Sequence, residues 1–301
     1  MIDINELTEK CSGLGCKIIP ECPLNMYVTF RTGGNCRALI SINSPESAIE
    51  ILNHLRSRNI KYFVLGNGSN VIPADEGFDG VILLIKSDFS GISVTGNKIT
   101  CQSGALLSTV CMTAQKNGLT GMENLYGIPG TVGGALYMNA GAYGTEISDV
   151  IISAEYIDDN GNICTISRED MDLSYRHSIF SGKNFLITSV TFELTKGEPE
   201  EIRRKMSECL SKRQSKQPLE FPSAGSTFKR PQGSYASLLI EQCGLKGLTC
   251  GGAQVSEKHS GFVINKGGAT CSDVLTLCGK VQETVREKTG YTLELEPIIL
   301  K

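Results

Sequence analysis

At 301 residues the chain is long enough to bury two or three modest cores. Hydrophobic residues make up 40% and charged residues 20%, with a formal net charge of −3 and no block of lysine or arginine. That balance excludes a disordered chain and the basic field that non-specific nucleic-acid binding requires.

Residues 1–10 are polar and acidic and lack the apolar stretch of a secretory signal. Ser44-Pro45-Glu46-Ser47 opens a helical pattern, with a serine cap, a first-turn proline, and Ile49, Leu52 and Leu55 on one face. Tyr62–Leu65 is a short strand ending in Gly66-Asn67-Gly68-Ser69-Asn70. Val81–Ile85, Ile92–Val94 and Lys98–Cys101 read as further strands between Gly and Asn turn signals. Val81–Ile85 is also the longest wholly apolar run, far too short to span a bilayer. Together these features predict a soluble cytoplasmic protein.

Helical periodicity returns at about Ala105–Lys116, and glycine dominates 121–144. Strands follow near Val150–Ile157 and Ile163–Ile166, joined as a hairpin by Asp158-Asp159-Asn160-Gly161, and another runs over Leu186–Leu194. The character changes at Lys196-Gly197-Glu198-Pro199, where a domain boundary is expected, giving domains 1–195 and 196–301. A charged helix covers about Pro199–Arg213. Helices at Tyr235–Gln242 and Ser272–Lys288 end at Gly244 and Gly290, with short strands at Gly261–Asn265 and Thr292–Glu296. Strands and helices are mixed rather than alternating, which predicts an α+β fold.

Twelve cysteines are spread along the chain with no C-x-x-C pair, beside only three histidines, His54, His177 and His259. Zinc sites cluster their ligands, and disulfide frameworks belong to short secreted chains. The cysteines therefore read as reduced, buried small hydrophobes, and no metal is expected.

Two glycine-rich stretches carry chemistry. Gly66–Asn70 follows a strand directly, and its glycines permit positive φ and close backbone approach, so that N–H groups can face an anion. Ser69 and the two asparagines add neutral donors; an ordinary strand-to-loop turn is the alternative. Gly121, Gly127, Gly130, Gly133, Gly134, Gly141 and Gly144 place seven glycines in 24 residues, amid largely apolar sequence that is no flexible linker. Gly130-Thr131-Val132-Gly133-Gly134-Ala135 leads into a helix over Leu136–Asn139, whose N-terminal N–H groups are expected to meet a pyrophosphate. Neither loop is a Walker A motif or a G-x-G-x-x-G fingerprint. Residue chemistry alone reaches a phosphate-bearing ligand.

These loops resemble the FAD-binding domain of the vanillyl-alcohol oxidase type. The ordered series Asn25–Gly34, Gly127–Ala135, Asn139–Gly144, Tyr175-Arg176-His177-Ser178, Ala224–Lys229, Leu245-Lys246-Gly247 and His259–Phe262 resembles one family within it, the UDP-N-acetylenolpyruvoylglucosamine reductases, over about residues 20–300. The resemblance implies a two-part FAD-binding domain, about 1–86 and 87–195. After it comes an α+β substrate domain whose C-terminal strand returns to the active site.

The resemblance further implies non-covalent FAD held by Gly66, Asn67, Gly68, Ser69, Asn70, Gly130, Thr131, Gly133, Gly134 and Gly144, with Arg213 and His259 reaching the flavin. NADPH is the implied reductant and an enolpyruvyl UDP-sugar the substrate, with neither nucleic acid nor membrane as partner. Ser226 is the implied proton donor, while Arg176 and Glu296 flank the substrate carboxylate. Tyr175 contacts substrate and Lys229 its diphosphate. Pro297-Ile298 departs from the Val-Arg that commonly follows the glutamate in this family. Glu294 and Glu296 share a strand face, so alternation does not choose between them; the Leu-Glu-x-Glu pattern favours Glu296. A compact stretch between Tyr175 and Ser226 matches the shorter class, which lacks a substrate lid. An oxidase or dehydrogenase of the same flavin fold and a non-catalytic nucleotide-binding module are the rival readings. Covalent attachment would require a histidine or cysteine that 66–70 and 121–144 do not contain.

Overall fold

A computed structural model describes residues 2–301 as an α+β protein with two compact units. The first comprises residues 1–20, 38–67 and 80–212, the second residues 21–37, 68–79 and 213–301.

The first unit has two cores. One lies under helices Ile4–Gly13 and Pro45–Ser57, which bury Leu7, Cys11, Ile51, Leu52 and Leu55 with Ile40, Val81 and Leu83. Ser44 caps the second helix through a reciprocal capping box with Ser47, as the Ser-Pro start predicts. The associated sheet runs in the order Lys17–Pro23, Asn35–Ser41, Phe78–Leu84, Tyr62–Leu65, the last two parallel. The N-terminal helix and the first two strands have no counterpart among the predicted elements. The helix starts where Asp3 accepts the N–H groups of Asn5 and Glu6, a local cap in a polar stretch.

The other core sits on a five-stranded antiparallel sheet in the order Ile163–Ser167, Ile151–Ile157, Leu186–Glu193, Lys98–Gln102, Ile92–Thr95. Asp158 Oδ1 accepts the N–H groups of Asn160 and Asn162 and so tightens the predicted hairpin. Helices Leu107–Lys116 and Val132–Tyr137 bury Val110, Cys111, Val132 and Leu136 against Val190 and Phe192. Helix Pro199–Lys216, where the composition shifts, packs Ile202 and Met206 into this same core, and the two units divide at Lys212/Arg213.

The second unit packs helices Ala236–Gln242 and Cys271–Thr289 over a small sheet of Thr249–Cys250, Ala253–Val255 and Val263–Asn265. Helix Cys271–Thr289 starts at a Thr270 capping box and stops at Gly290, whose φ of +77° is the left-handed cap predicted from the sequence. The strand expected over Thr292–Glu296 is reduced to one bridge, Leu295 opposite Phe228. The regular strand is Ile298–Leu300, parallel to Val71–Pro73. Pro297 separates the two, having no N–H to give a ladder.

Ten of the twelve cysteines are buried, and all twelve are free thiols. Burial pushes the Cys101 and Cys278 thiols up to about 12, the behaviour of small core residues. No helix among the described residues is long and apolar enough to cross a membrane.

Candidate active site

In the first unit the two glycine-rich loops meet. Asn67 Nδ2 donates to the Pro129 carbonyl at 2.7 Å, and a Cβ on Gly66 would stand 2.3 Å from Thr131 Oγ1. Glycine at 66 is thus a steric demand of the contact itself. Gly133 is explained the same way, since a Cβ there would lie 2.8 Å from Ser103 Cβ. The hydroxyl of Ser103, a residue only 2% exposed, lies beside it without a hydrogen-bond partner.

The helix here runs over Val132–Tyr137, not Leu136–Asn139, because Thr131 caps it. Its first-turn N–H groups are already taken: Val132 donates to Ala105 O, Gly133 to Ser103 O and Gly134 to Thr131 Oγ1. The N–H groups of this first turn are thus engaged within the chain. The first turn holds the loop to its neighbours, and Gly66–Asn67 and Gly130–Thr131 lie against each other beside it. Their composition suits a dinucleotide, offering backbone and neutral polar groups with no carboxylate in 66–70 or 128–134.

The second half of the first loop, Gly68–Asn70, belongs to the second unit. Gly68 has φ +65°, and a Cβ would lie 2.3 Å from the Tyr27 carbonyl. Its own carbonyl accepts from Thr29 N–H at 3.1 Å, while Thr29 Oγ1 donates to Ser223 O at 2.6 Å. On the other side Asn70 Nδ2 donates to Glu296 O at 3.3 Å, and Asn70 O accepts from Ile298 N–H at 2.9 Å. The loop is thereby tied to the segment three residues ahead of Ser226 and to the one carrying Glu296.

Ser226 is exposed and follows Gly225, whose φ is +77°. The two segments pair through Glu296 N–H to Thr227 O at 3.0 Å and Lys229 N–H to Glu294 O at 2.8 Å. Lys229 Nζ lies 3.5 Å from Glu294 Oε2. Glu294 is exposed and engaged by Lys229, whereas Glu296 is half-buried and sits across from Thr227, next to Ser226. Period two left these glutamates equivalent; the pairing distinguishes them.

Tyr175 and Arg176 are in the first unit, at the tip of a tight turn closed by Ser174 and His177. Arg176 has φ +56°, its guanidinium stacks on the Tyr175 ring at 4.8 Å, and Nη2 donates to Gly141 O at 3.4 Å. Gly144 completes a second tight turn with Tyr143, at φ +87° and +52°, between Gly141–Ala142 and Thr145–Glu146. A turn with both central residues at positive φ accounts for this glycine by backbone geometry.

Arg213 lies in the last turn of its helix. His259 Nδ1 accepts the Gly261 N–H at 3.1 Å, and its ring meets Phe262 edge-on at 5.0 Å. Burial, its largest influence, lowers the His259 pKa. Neutral His259 therefore carries its proton on Nε2. Thr29 and Asn139 were not singled out from the sequence, although both lie within the quoted motifs. Their signal is a hydrogen-bonding residue inside a glycine-rich pattern.

The FAD binding domain family model matches residues 36–167, and the C-terminal domain model of UDP-N-acetylenolpyruvoylglucosamine reductase matches residues 217–300. The chain is 48% identical over 270 residues to a UDP-N-acetylenolpyruvoylglucosamine reductase of Clostridium novyi (strain NT), covering 90% of this chain and 88% of that protein. It is 46% identical over 283 residues to the one from Clostridium perfringens (strain 13 / Type A), covering 94% and 93%. The crystal structure of the UDP-N-acetylenolpyruvylglucosamine reductase from Thermus caldophilus superposes with a TM-score of 0.81 at 33% identity, covering 95% of this chain and 99% of that one.

Proposed function

We propose a reaction on a premise that the comparisons supply: the chain belongs to the UDP-N-acetylenolpyruvoylglucosamine reductase family. It uses NADPH to reduce the enolpyruvyl double bond of UDP-N-acetylglucosamine enolpyruvate to UDP-N-acetylmuramate, a step of peptidoglycan precursor synthesis. We place it in the cytoplasm, where NADPH and nucleotide sugars are found. FAD is assigned to Gly66–Asn67 and Gly130–Thr131 of the first unit, and the proton-donating role to Ser226 of the second.

Bound FAD, once reduced, supplies the hydride that adds to C3 of the enolpyruvyl group. The electron pair of the broken double bond then moves toward C2 and the carboxylate. Arg176 meets that growing charge with a planar fork that matches a carboxylate. Ser226 donates its hydroxyl proton to C2. A serine hydroxyl is a feeble acid and gives up a proton only to a strongly basic carbon held within hydrogen-bond reach. Its exposure lets solvent restore the proton between turnovers. Glu296 flanks the substrate carboxylate with Arg176. Lys229, after releasing Glu294, reaches the diphosphate, and Tyr175 lies against the substrate beneath Arg176. Asn67 and Thr131 fix the cofactor loops, Gly144 shapes its own turn, and Arg213 and His259 are assigned to the flavin from the family pattern alone.

One observation carries the assignment within the second unit. The Ser226 segment is paired backbone to backbone with the Glu296 segment, through Glu296 N–H to Thr227 O at 3.0 Å. The test is Ser226→Ala in rapid mixing. NADPH should reduce the flavin at the wild-type rate, while reoxidation by the enolpyruvyl sugar nucleotide slows by about 10²- to 10⁴-fold, the range for loss of a general acid. Reoxidation at the wild-type rate would remove Ser226 from its role.

A further inference from the structure

We propose that Asn139 is a positioning residue for Arg176. The inference rests on the reading of Arg176 as the group that grips the substrate carboxylate.

Asn139 is 1% exposed and its side chain has three partners on two segments. Nδ2 donates to Ser174 O at 3.0 Å and to Glu146 Oε2 at 3.0 Å, while Oδ1 accepts the Ser148 N–H at 2.9 Å. A buried carboxamide is costly unless paired; here both N–H bonds and one acceptor site are in use. The first of these contacts matters for function. Ser174 closes the Tyr175-Arg176 turn by exchanging two backbone bonds with His177, at 3.2 and 3.1 Å. On the far side Ser178 Oγ donates to Tyr137 O at 2.7 Å. The turn that projects Arg176 is thus pinned at both feet to the segment around Asn139.

The second observation is strain. Seven non-glycine residues have positive φ, and four of them belong to this one network: Asn139 at 39°, Tyr143 at 52°, Asp172 at 48° and Arg176 at 56°. This backbone region is unfavourable for most side chains, and residues held in it persist where the surroundings over-determine them. Asparagine tolerates the left-handed region; tyrosine and arginine do so poorly. If the turn served the fold alone, glycine at 176 would serve it better. An arginine held in that conformation, stacked on Tyr175 and donating to Gly141 O, has instead been given one direction. Asn139 holds the Ser174 carbonyl and, through Glu146 and Ser148, the neighbouring hairpin whose Gly141 carbonyl receives Arg176. It fixes the turn and the rest of the guanidinium together.

The test is a double-variant cycle read in the two half-reactions. Asn139→Gly removes the side chain while accepting the left-handed backbone. Flavin content and the rate of flavin reduction by NADPH should stay within twofold of wild type. Reoxidation by the enolpyruvyl sugar nucleotide should slow by about 10- to 100-fold, as expected when a catalytic group shifts by an ångström. In an Arg176→Ala background the same change should cost nothing further, because the group being positioned is gone. If flavin content falls in Asn139→Gly, Asn139→Ser takes its place: it keeps an uncharged polar side chain but is too short for the bond to the Ser174 carbonyl. Losses that multiply in the double variant, or a single variant at the wild-type reoxidation rate beside an impaired Arg176→Ala, would overturn the proposal. If Arg176→Ala itself reoxidises normally, the reading of Arg176 falls, and the proposal with it.

Discussion

The first-unit glycine loops and the second-unit segments bearing Ser226 and Glu296 are built on different principles. In the loops backbone meets neighbour: Gly66 against Thr131, Gly133 against Ser103, with no space for a Cβ. Around Ser226 the backbone is held by pairing on both sides, but nothing crowds the turn itself. A Cβ on Gly225 would meet nothing within 4 Å, and the serine faces solvent. The first region selects residues for what they lack, the second for one functional group each. Substitutions should therefore fail differently in the two, through cofactor retention or stability in the loops and through rate alone at the reacting side chains.

The largest expected effect is on rate. Arg176→Ala should slow substrate-dependent flavin reoxidation by about 10²- to 10³-fold, the cost of removing one donor to a developing anion, with flavin content unchanged. Rapid-mixing absorbance measures both. A loss of flavin instead would place Arg176 in the cofactor region and blur the division.

Next comes Gly66→Ala, which forces a methyl to within 2.3 Å of Thr131 Oγ1. Overpacking of this kind costs about 1–3 kcal/mol, and the flavin should be lost on gel filtration. Gly144→Ala sharpens the contrast. It meets nothing within 4 Å but must keep φ near +87°, costing about 1–2 kcal/mol. Its melting temperature should fall while flavin stays bound, so that one glycine from each stretch is sorted, Gly66 as a contact glycine and Gly144 as a turn glycine.

The smallest effect is that of pH on stability. Burial, the leading cause for each, lowers the pKa of both His54 and His259 below the usual 6.5. The unfolded chain therefore binds more protons between the folded and unfolded values, and stability rises with pH across that window. The histidine contribution is fully present above about pH 6.5 and is lost as pH falls through the lowered folded values. Melting curves between pH 7.5 and 5.5 should show the decline, and His259→Asn should make it shallower. The lowered carboxyl groups of Asp158 and Asp273 act in a separate window, below the usual 3.8.

Much of this was legible in the sequence because steric need leaves a residue signature. The density of glycine between 121 and 144 marked a backbone-built site, and Ser44-Pro45 and Gly290 marked helix ends. The helix Ile4–Gly13 was passed over because its stripe of Ile4, Leu7, Cys11 and Leu14 is thin and set among polar residues, although its spacing is helical. Nor was the make-up of the second unit, which gathers residues 21–37 and 68–79 from the N-terminal part of the chain. Local periodicity carries no information about such returns. Ser226, Arg176 and Glu296 are ordinary residue types on irregular segments, visible only through the family pattern. The different surroundings of Glu294 and Glu296, Lys229 at one and Thr227 at the other, appear only once the two segments are paired. Asn139 escaped because one buried carboxamide among glycines resembles any turn residue until its three partners are placed.

The central claim, that this chain reduces an enolpyruvyl sugar nucleotide through bound FAD, is tested most directly by following NADPH oxidation by the purified protein with and without UDP-N-acetylglucosamine enolpyruvate. The account predicts a yellow protein that oxidises NADPH in step with UDP-N-acetylmuramate formation and only slowly without the substrate. A protein that purifies without flavin, or one whose NADPH oxidation ignores the sugar nucleotide, would contradict it.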